Sequence, residues 1–175
     1  MKILSEIKMV PGMTILDSNA ISTLPLNELY RQFVGDYPKF FKMDSLCKLG
    51  FLAAELLLGR ASKEQKGNAS IILFNKNGSL ITDRNYQQTI ADSNYFPSPA
   101  LFVYTLANII TGEIAIRHKI YGETSFYILP NKDEGIMNRM IRNVFLTSNP
   151  SFIITGWVDY EDENNYLAEL KIVTK

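Results

Sequence analysis

The chain has 175 residues, 46% of them apolar and 21% charged, the balance of a single globular domain that buries roughly 70% of its unfolded surface. Eighteen basic side chains offset eighteen acidic ones, so no net field draws the chain to nucleic acid or to an anionic membrane. One cysteine excludes an internal disulfide framework and suits a reducing compartment.

The first ten residues, MKILSEIKMV, carry Glu6 inside an interrupted apolar run and make a poor signal peptide. The most apolar stretches, such as Gly50 to Leu58 around Glu55, are too short to span a bilayer. The expected location is therefore the cytoplasm.

Met1 to Leu16 reads as two β-like runs about the turn signal Pro11-Gly12. Asn19 to Asp36 is polar and mixed, with a short helix at Leu26 to Val34. Tyr37-Pro38-Lys39-Phe40-Phe41 is aromatic and irregular, since the residue before a proline leaves the α region. Phe40 and Phe41 are either a loop packed on the core or a patch that faces a partner.

A helix is expected from Asp44 or Ser45 to Leu58. Leu46, Leu49, Ala53 and Leu57 form its apolar stripe, and Gly59 ends it. Cys47, near its start, reads as a small packed hydrophobe. Ala61 to Ala69 is a polar loop. Ile71 to Phe74 is a continuous apolar run that suits a buried parallel strand. Asn75 to Ser79 follows as a loop with one glycine, a plain turn rather than a phosphate cradle. Asp83 to Ala91 reads as a short helix.

Ser98-Pro99 then pairs an N-cap with proline at the first helical position. Leu101, Phe102, Thr105, Ile109, Gly112 and Ala115 recur at helical spacing, with apolar groups between them. So wide an apolar circumference predicts a central, buried helix. Gly112 inside it costs about 1 kcal/mol against alanine, which predicts close approach by another backbone. Gly122 supplies the break before a strand at Ser125 to Leu129. Met137 to Leu146 is a helix with Arg139 and Arg142 on an exposed side. Phe152 to Tyr160 and Tyr166 to Val173 are strands of a closing hairpin with a loop of about five residues. Trp157 reads as core. The alternation predicts an α/β fold, a mixed and mostly parallel sheet with helices on both faces and an antiparallel edge strand at the end. One domain spans residues 1–175.

Conventional site chemistry is sparse. His118, the one histidine, falls in the last turn of its helix, where a cation suits the dipole. One histidine and one cysteine make no zinc constellation. Asp159, Glu161, Asp162 and Glu163 read as a solvated hairpin tip rather than a cation site, for the glycine and ligand order of an EF-hand loop are missing. No serine lies in a GxSxG sequence. No cofactor is expected.

Two stretches carry a resemblance. KMDSLCKLGFLAAELLL (residues 42–58) and the pattern Pro99, Phe102, Asn108, Gly112, Glu113-Ile114-Ala115-Ile116 and Gly122 are similar to the N-terminal half of β-ketoacyl-ACP synthases, condensing enzymes of the thiolase superfamily. The resemblance covers nearly the whole chain and implies a three-layer thiolase-like half-fold with a buried central helix. In that family a strand after the Gly122-like glycine leads to a nucleophilic cysteine that opens the next helix. The thiolate is activated by the helix N-terminus and works with imidazoles. The slot falls near Asn131, within about two residues. The sequence there is ILPNKDEG, with no thiol at Pro130, Asn131 or Lys132. The family's histidines and lysine lie in a C-terminal half that this chain, about half the family's usual length, does not contain.

The resemblance thus implies a catalytically silent accessory protein of fatty-acid or polyketide (aryl-polyene-type) biosynthesis. It would pair with itself or with a full-length ketosynthase, or bind an acyl carrier protein. An oligomer is expected because a half-fold leaves one helix face uncovered. Phe40, Phe41, Arg139 and Arg142 are the candidate interface or carrier contacts. The alternatives are part of a composite 3-oxoacyl-ACP synthase site and an acyl-ligand binding module, which a reused fold permits.

Overall fold

The computed structural model describes residues 1–59, 66–91 and 94–175. Most of the expected loop 61–69 and residues 92–93 before Ser98 lie outside that set. Two helical layers flank a seven-stranded sheet of order β3-β2-β1-β9-β8-β4-β7. The strands are β1 (Lys2–Val10), β2 (Met13–Leu16), β3 (Asn19–Ser22), β4 (Ser70–Asn75), β7 (Thr124–Ile128), β8 (Ile153–Asp162) and β9 (Asn165–Thr174). β4 pairs in parallel with both β7 and β8, and the other pairings are antiparallel. Five of the seven strands run in one direction, and β2 and β9 run against them. A second, two-stranded ribbon joins β5 (Ile90–Ala91) to β6 (Asn94–Tyr95).

β4 is central because it has no polar face. All six of its residues are buried, as a strand covered on both sides requires. Ile71 and Leu73 enter one core and Ile72 and Phe74 the other, following the two-residue period of a strand. The first core is covered by α1 (Leu26–Phe33), α2 (Ser45–Leu58) and α5 (Ile109–His118), the second by α6 (Glu134–Thr147). Trp157 lies in the second core, 5% exposed. Among the described residues no helix is long and apolar enough to cross a membrane.

The buried central helix is α2, not the stretch after Ser98. Asp44 caps it, its side chain accepting from the Cys47 N–H at 2.9 Å. Ten of its fourteen residues are buried. Gly50 is the close-approach glycine, for a Cβ there would lie 2.1 Å from Ile110 Cδ1. Gly59 sits in right-handed helical geometry, φ −53°, rather than the left-handed geometry usual for a terminating glycine.

The stretch after Ser98 divides in two. Ser98 does cap, accepting from the Leu101 N–H at 3.3 Å, but the helix it starts, α4 (Pro99–Tyr104), ends after six residues. Thr105 and Thr111 turn their hydroxyls back onto the Phe102 and Asn108 carbonyls, a local bond that competes with helix continuation. α5 then begins at Ile109. Phe102, Val103, Leu106 and Ile116 are exposed, so this stretch is peripheral. Gly112 has nothing near its missing side chain.

Other departures follow from pairing. The extra hairpin β2–β3 turns at Asp17 and Ser18, both at positive φ, and Asp17 Oδ1 accepts from Ser5 Oγ and the Glu6 N–H. The segment after Tyr37 is a 3-10 turn, Pro38–Lys42. The helix expected from Asp83 begins earlier, as α3 (Leu80–Thr89). β9 is antiparallel as expected but interior, lying between β8 and β1. Its loop with β8 is two residues, Glu163 and Asn164.

Candidate functional site

β7 feeds α6 through residues 129–133, the stretch that holds Asn131, where the resemblance puts the expected slot. Asn131 is exposed, two residues before the helix cap. The cap is Asp133, whose Oδ1 accepts from the Ile136 N–H at 2.9 Å. Glu134 adds a second acid to the first turn. The N-terminal partial charge that could stabilise a thiolate is thus already met by carboxylates.

Lys132, between slot and cap, ion-pairs with Glu169 of β9, and Glu169 also meets Lys8 of β1 at 2.8 Å. Lys171 lies 3.6 Å from Glu134. Burial pushes the Glu169 carboxyl up, but the bonds from Lys132 and Lys8 outweigh it and hold it below the usual range. These charges rim a trough of about 520 Å³ beside the helix start, with Trp157, Met137 and Ile7 beneath. No thiol or imidazole lines it. The charged side chains that rim it are engaged in ion pairs.

Cys47 and His118 lie in the other layer and do not form a pair with the slot. Cys47 is 2% exposed, and burial, with Asp44 and Glu113 nearby, pushes its thiol well up, so it stays protonated. His118 Nε2 lies 2.7 Å from Glu55 Oε1 in the last turn of α5. Arg117 binds the same carboxylate and reaches Asp36 at 2.6 Å while stacking over Tyr37. Lys39 pairs with the buried Glu113 at 2.6 Å. The Asn75–Ser79 loop is no phosphate cradle, since Asn75 Oδ1 already occupies the Gly78 amide.

The four candidate contacts are split. Phe40 is core, fully buried and stacked on Tyr30 with ring centroids 4.1 Å apart. Phe41 is exposed beside it, with the Arg31 guanidinium 5.6 Å from its ring. Arg139 and Arg142 are exposed on α6, across the sheet. That outward side of α6 also shows Asn143, with Leu146 as its one large exposed apolar group. A polar helix side has no need of cover, so α6 itself offers no uncovered apolar face. Exposed apolar groups lie on the stretch after Ser98, at Phe102, Val103, Leu106 and Ile116, and at Ile128 of β7, one of the sheet's two outer strands. A groove of about 570 Å³ runs along β7, lined by Asn77, Gly78, Leu106, Asn108, Phe126 and Ile128. Sequence reasoning missed Arg31, Lys8 and Glu169, whose roles depend on neighbours distant in the chain.

No protein-family model matches the sequence, and no curated protein matches it. Solved structures match the fold. A structure of the ketosynthase ApeO in complex with its chain length factor ApeC from Xenorhabdus doucetiae aligns over 98% of this chain and 77% of the matched one, with a TM-score of 0.66 at 12% identity. The ishigamide ketosynthase/chain length factor aligns over 97% of this chain and 60% of the matched one, with a TM-score of 0.69 at 14% identity. The chain therefore has the thiolase-like α/β fold found in ketosynthase and chain length factor proteins.

Proposed function

We propose that this protein is a catalytically silent, ketosynthase-like accessory subunit of fatty-acid or polyketide biosynthesis, of the aryl-polyene type, acting by pairing with a ketosynthase. The observation that carries the reading is the start of α6, where Asp133 caps the helix that in condensing enzymes would carry the nucleophile. A subunit that keeps the fold and fills the slot with its own cap has kept the shape without the reaction. The outer edge of β7, which pairs with no further strand among the described residues and has exposed Ile128 and Leu106 beside it, is the surface for pairing, since a strand edge is a template for another chain.

The test has two arms. Incubation with acyl carrier protein bearing a mass-tagged acyl group leaves the chain unloaded, whereas covalent loading would end the silent-subunit reading. Light scattering shows a dimer, or a one-to-one complex with a co-expressed ketosynthase. Thr124→Pro, at an exposed position of β7 whose N–H is turned away from β4, lowers the proportion of complex, and a monomer that ignores the ketosynthase refutes the pairing.

An acidic carrier protein is the proposed third component. Phe41, flanked by Arg31 and Lys42, suits it better than Arg139 and Arg142, because an exposed ring among cations offers apolar and charged contacts together. Arg31→Glu weakens carrier binding in titration calorimetry more than Arg139→Glu does, and the reverse order moves the contact to α6.

A further inference from the structure

Asn77-Gly78 is the one Asn-Gly sequence in the chain. In such a pair the glycine nitrogen gives up its proton and bonds to the asparagine side-chain carbonyl carbon. The side-chain nitrogen leaves as ammonia, and water opens the resulting succinimide to aspartate or isoaspartate. The reaction needs a free glycine N–H and a mobile peptide. Neither is present here. The Gly78 N–H donates to Asn75 Oδ1 at 2.9 Å, and Asn75 Nδ2 donates back to the Gly78 carbonyl at 2.9 Å. Asn75 is itself fully buried at the end of β4, and its carbonyl accepts from the Leu129 N–H at 2.8 Å. The clamp is thus anchored in the centre of the sheet and holds Gly78 at φ +58°.

We propose that Asn75 guards the Asn77–Gly78 peptide against succinimide formation, making this loop a latent deamidation site. Reaction there would place a carboxylate against Glu161, whose Oε1 now faces Asn77 Nδ2 at 3.5 Å. It would also add charge to the groove along β7, which Asn77 and Gly78 line. An effect on partner binding rests on the pairing reading, but the guard does not.

Wild-type protein, Asn75→Ala and Asn75→Asp are incubated at neutral pH beside urea-unfolded wild type, and deamidation at Asn77 is followed by peptide mass spectrometry. Folded wild type reacts at least about tenfold more slowly than the unfolded chain, a factor that one ordinary hydrogen bond provides. Asn75→Asp, which keeps an acceptor for the Gly78 N–H, stays slow. Asn75→Ala with native circular dichroism reacts near the unfolded rate. Equal rates for folded and unfolded wild type, a fast Asn75→Asp, or a folded but slow Asn75→Ala each overturn the proposal. Should Asn75→Ala not fold, hydrogen exchange of the Gly78 amide decides. Slowed exchange in wild type and in Asn75→Asp supports the guard, and unprotected exchange in wild type removes it.

Discussion

The same substitution at two glycines should act with opposite sign. In the middle of a helix, replacing glycine by alanine gains about 1 kcal/mol, because alanine loses less backbone freedom on folding. At Gly112 of α5 the added methyl meets nothing within 4 Å, so the whole gain is expected. At Gly50 of α2 it would lie 2.1 Å from Ile110 Cδ1, 3.0 Å from Ile110 Cγ1 and 3.4 Å from Val158 Cγ1. Ile110 is 1% exposed, so its terminal methyl has no open space to enter. Overpacking of this kind costs about 1–3 kcal/mol. Gly50→Ala is therefore a net loss of about 1 kcal/mol, some 2 kcal/mol worse than Gly112→Ala. Urea unfolding of both variants measures the difference. Ile110→Val removes the clashing methyl and alone costs about 1 kcal/mol. In the double variant the two changes should cost less than their sum, a coupling that a double-mutant cycle reads directly. A Gly50→Ala protein as stable as Gly112→Ala would refute the claim that α2 and α5 touch through this glycine.

Gly156 lies at φ +150°, and a Cβ there would fall 1.9 Å from the Glu169 carbonyl oxygen, so Gly156→Ala costs about 4 kcal/mol or leaves no soluble protein in expression trials. Lys119 ends α5 in the left-handed region, φ 55°, and Lys119→Gly should raise stability by about 1 kcal/mol in chemical denaturation. Burial pushes the Glu55 carboxyl up, but His118 and Arg117 outweigh this and leave it below the ordinary 4.5. Its contribution is then full above the unfolded value and is lost as pH falls through the lowered folded value, so stability in urea titrations should fall as the pH drops below about 5. Arg117→Ala should cost about 2 kcal/mol at neutral pH and flatten that acid dependence, since it strips Glu55 of one of its two partners.

Local signals predicted local structure well. The Ser98-Pro99 cap, the Asp44 start of α2, the Pro11-Gly12 turn and the all-apolar run of β4 each formed as expected, because the responsible groups lie within a few residues of one another. Burial was harder to read. Residues 98–118 and residues 45–58 are both apolar round much of the helix, and the pattern alone does not say which one the sheet covers. The two glycines were equally ambiguous, as a missing side chain signals close approach only once the neighbouring element is in place. β9's interior position was hidden for the same reason. Its antiparallel partner β8 follows from a hairpin, but its other partner, β1, comes from the far end of the chain.

The slot was the reverse case. The absence of a thiol in ILPNKDEG is visible in the sequence alone, but not what replaces it. The helix is expected only from Met137 but begins at Glu134, so its Asp133 cap was not among the expectations. The ion pairs of Lys132 with Glu169, and of Glu169 with Lys8, join three segments from across the chain and could not be inferred from spacing. Together they give the region a settled electrostatic balance. A condensing site needs an anion at the helix start with cations or imidazoles free to receive developing charge. Here the anions are the cap and its neighbours, and the cations Lys8, Lys132 and Lys171 are each already paired. A cysteine placed at Asn131 would therefore be a thiol without an activating field. Asn131→Cys is expected to titrate near the ordinary thiol value of about 8.5 in an iodoacetamide rate profile. A profile shifted down by more than about one unit would mean that the helix start still stabilises negative charge, and the argument from Asp133 would fall with it.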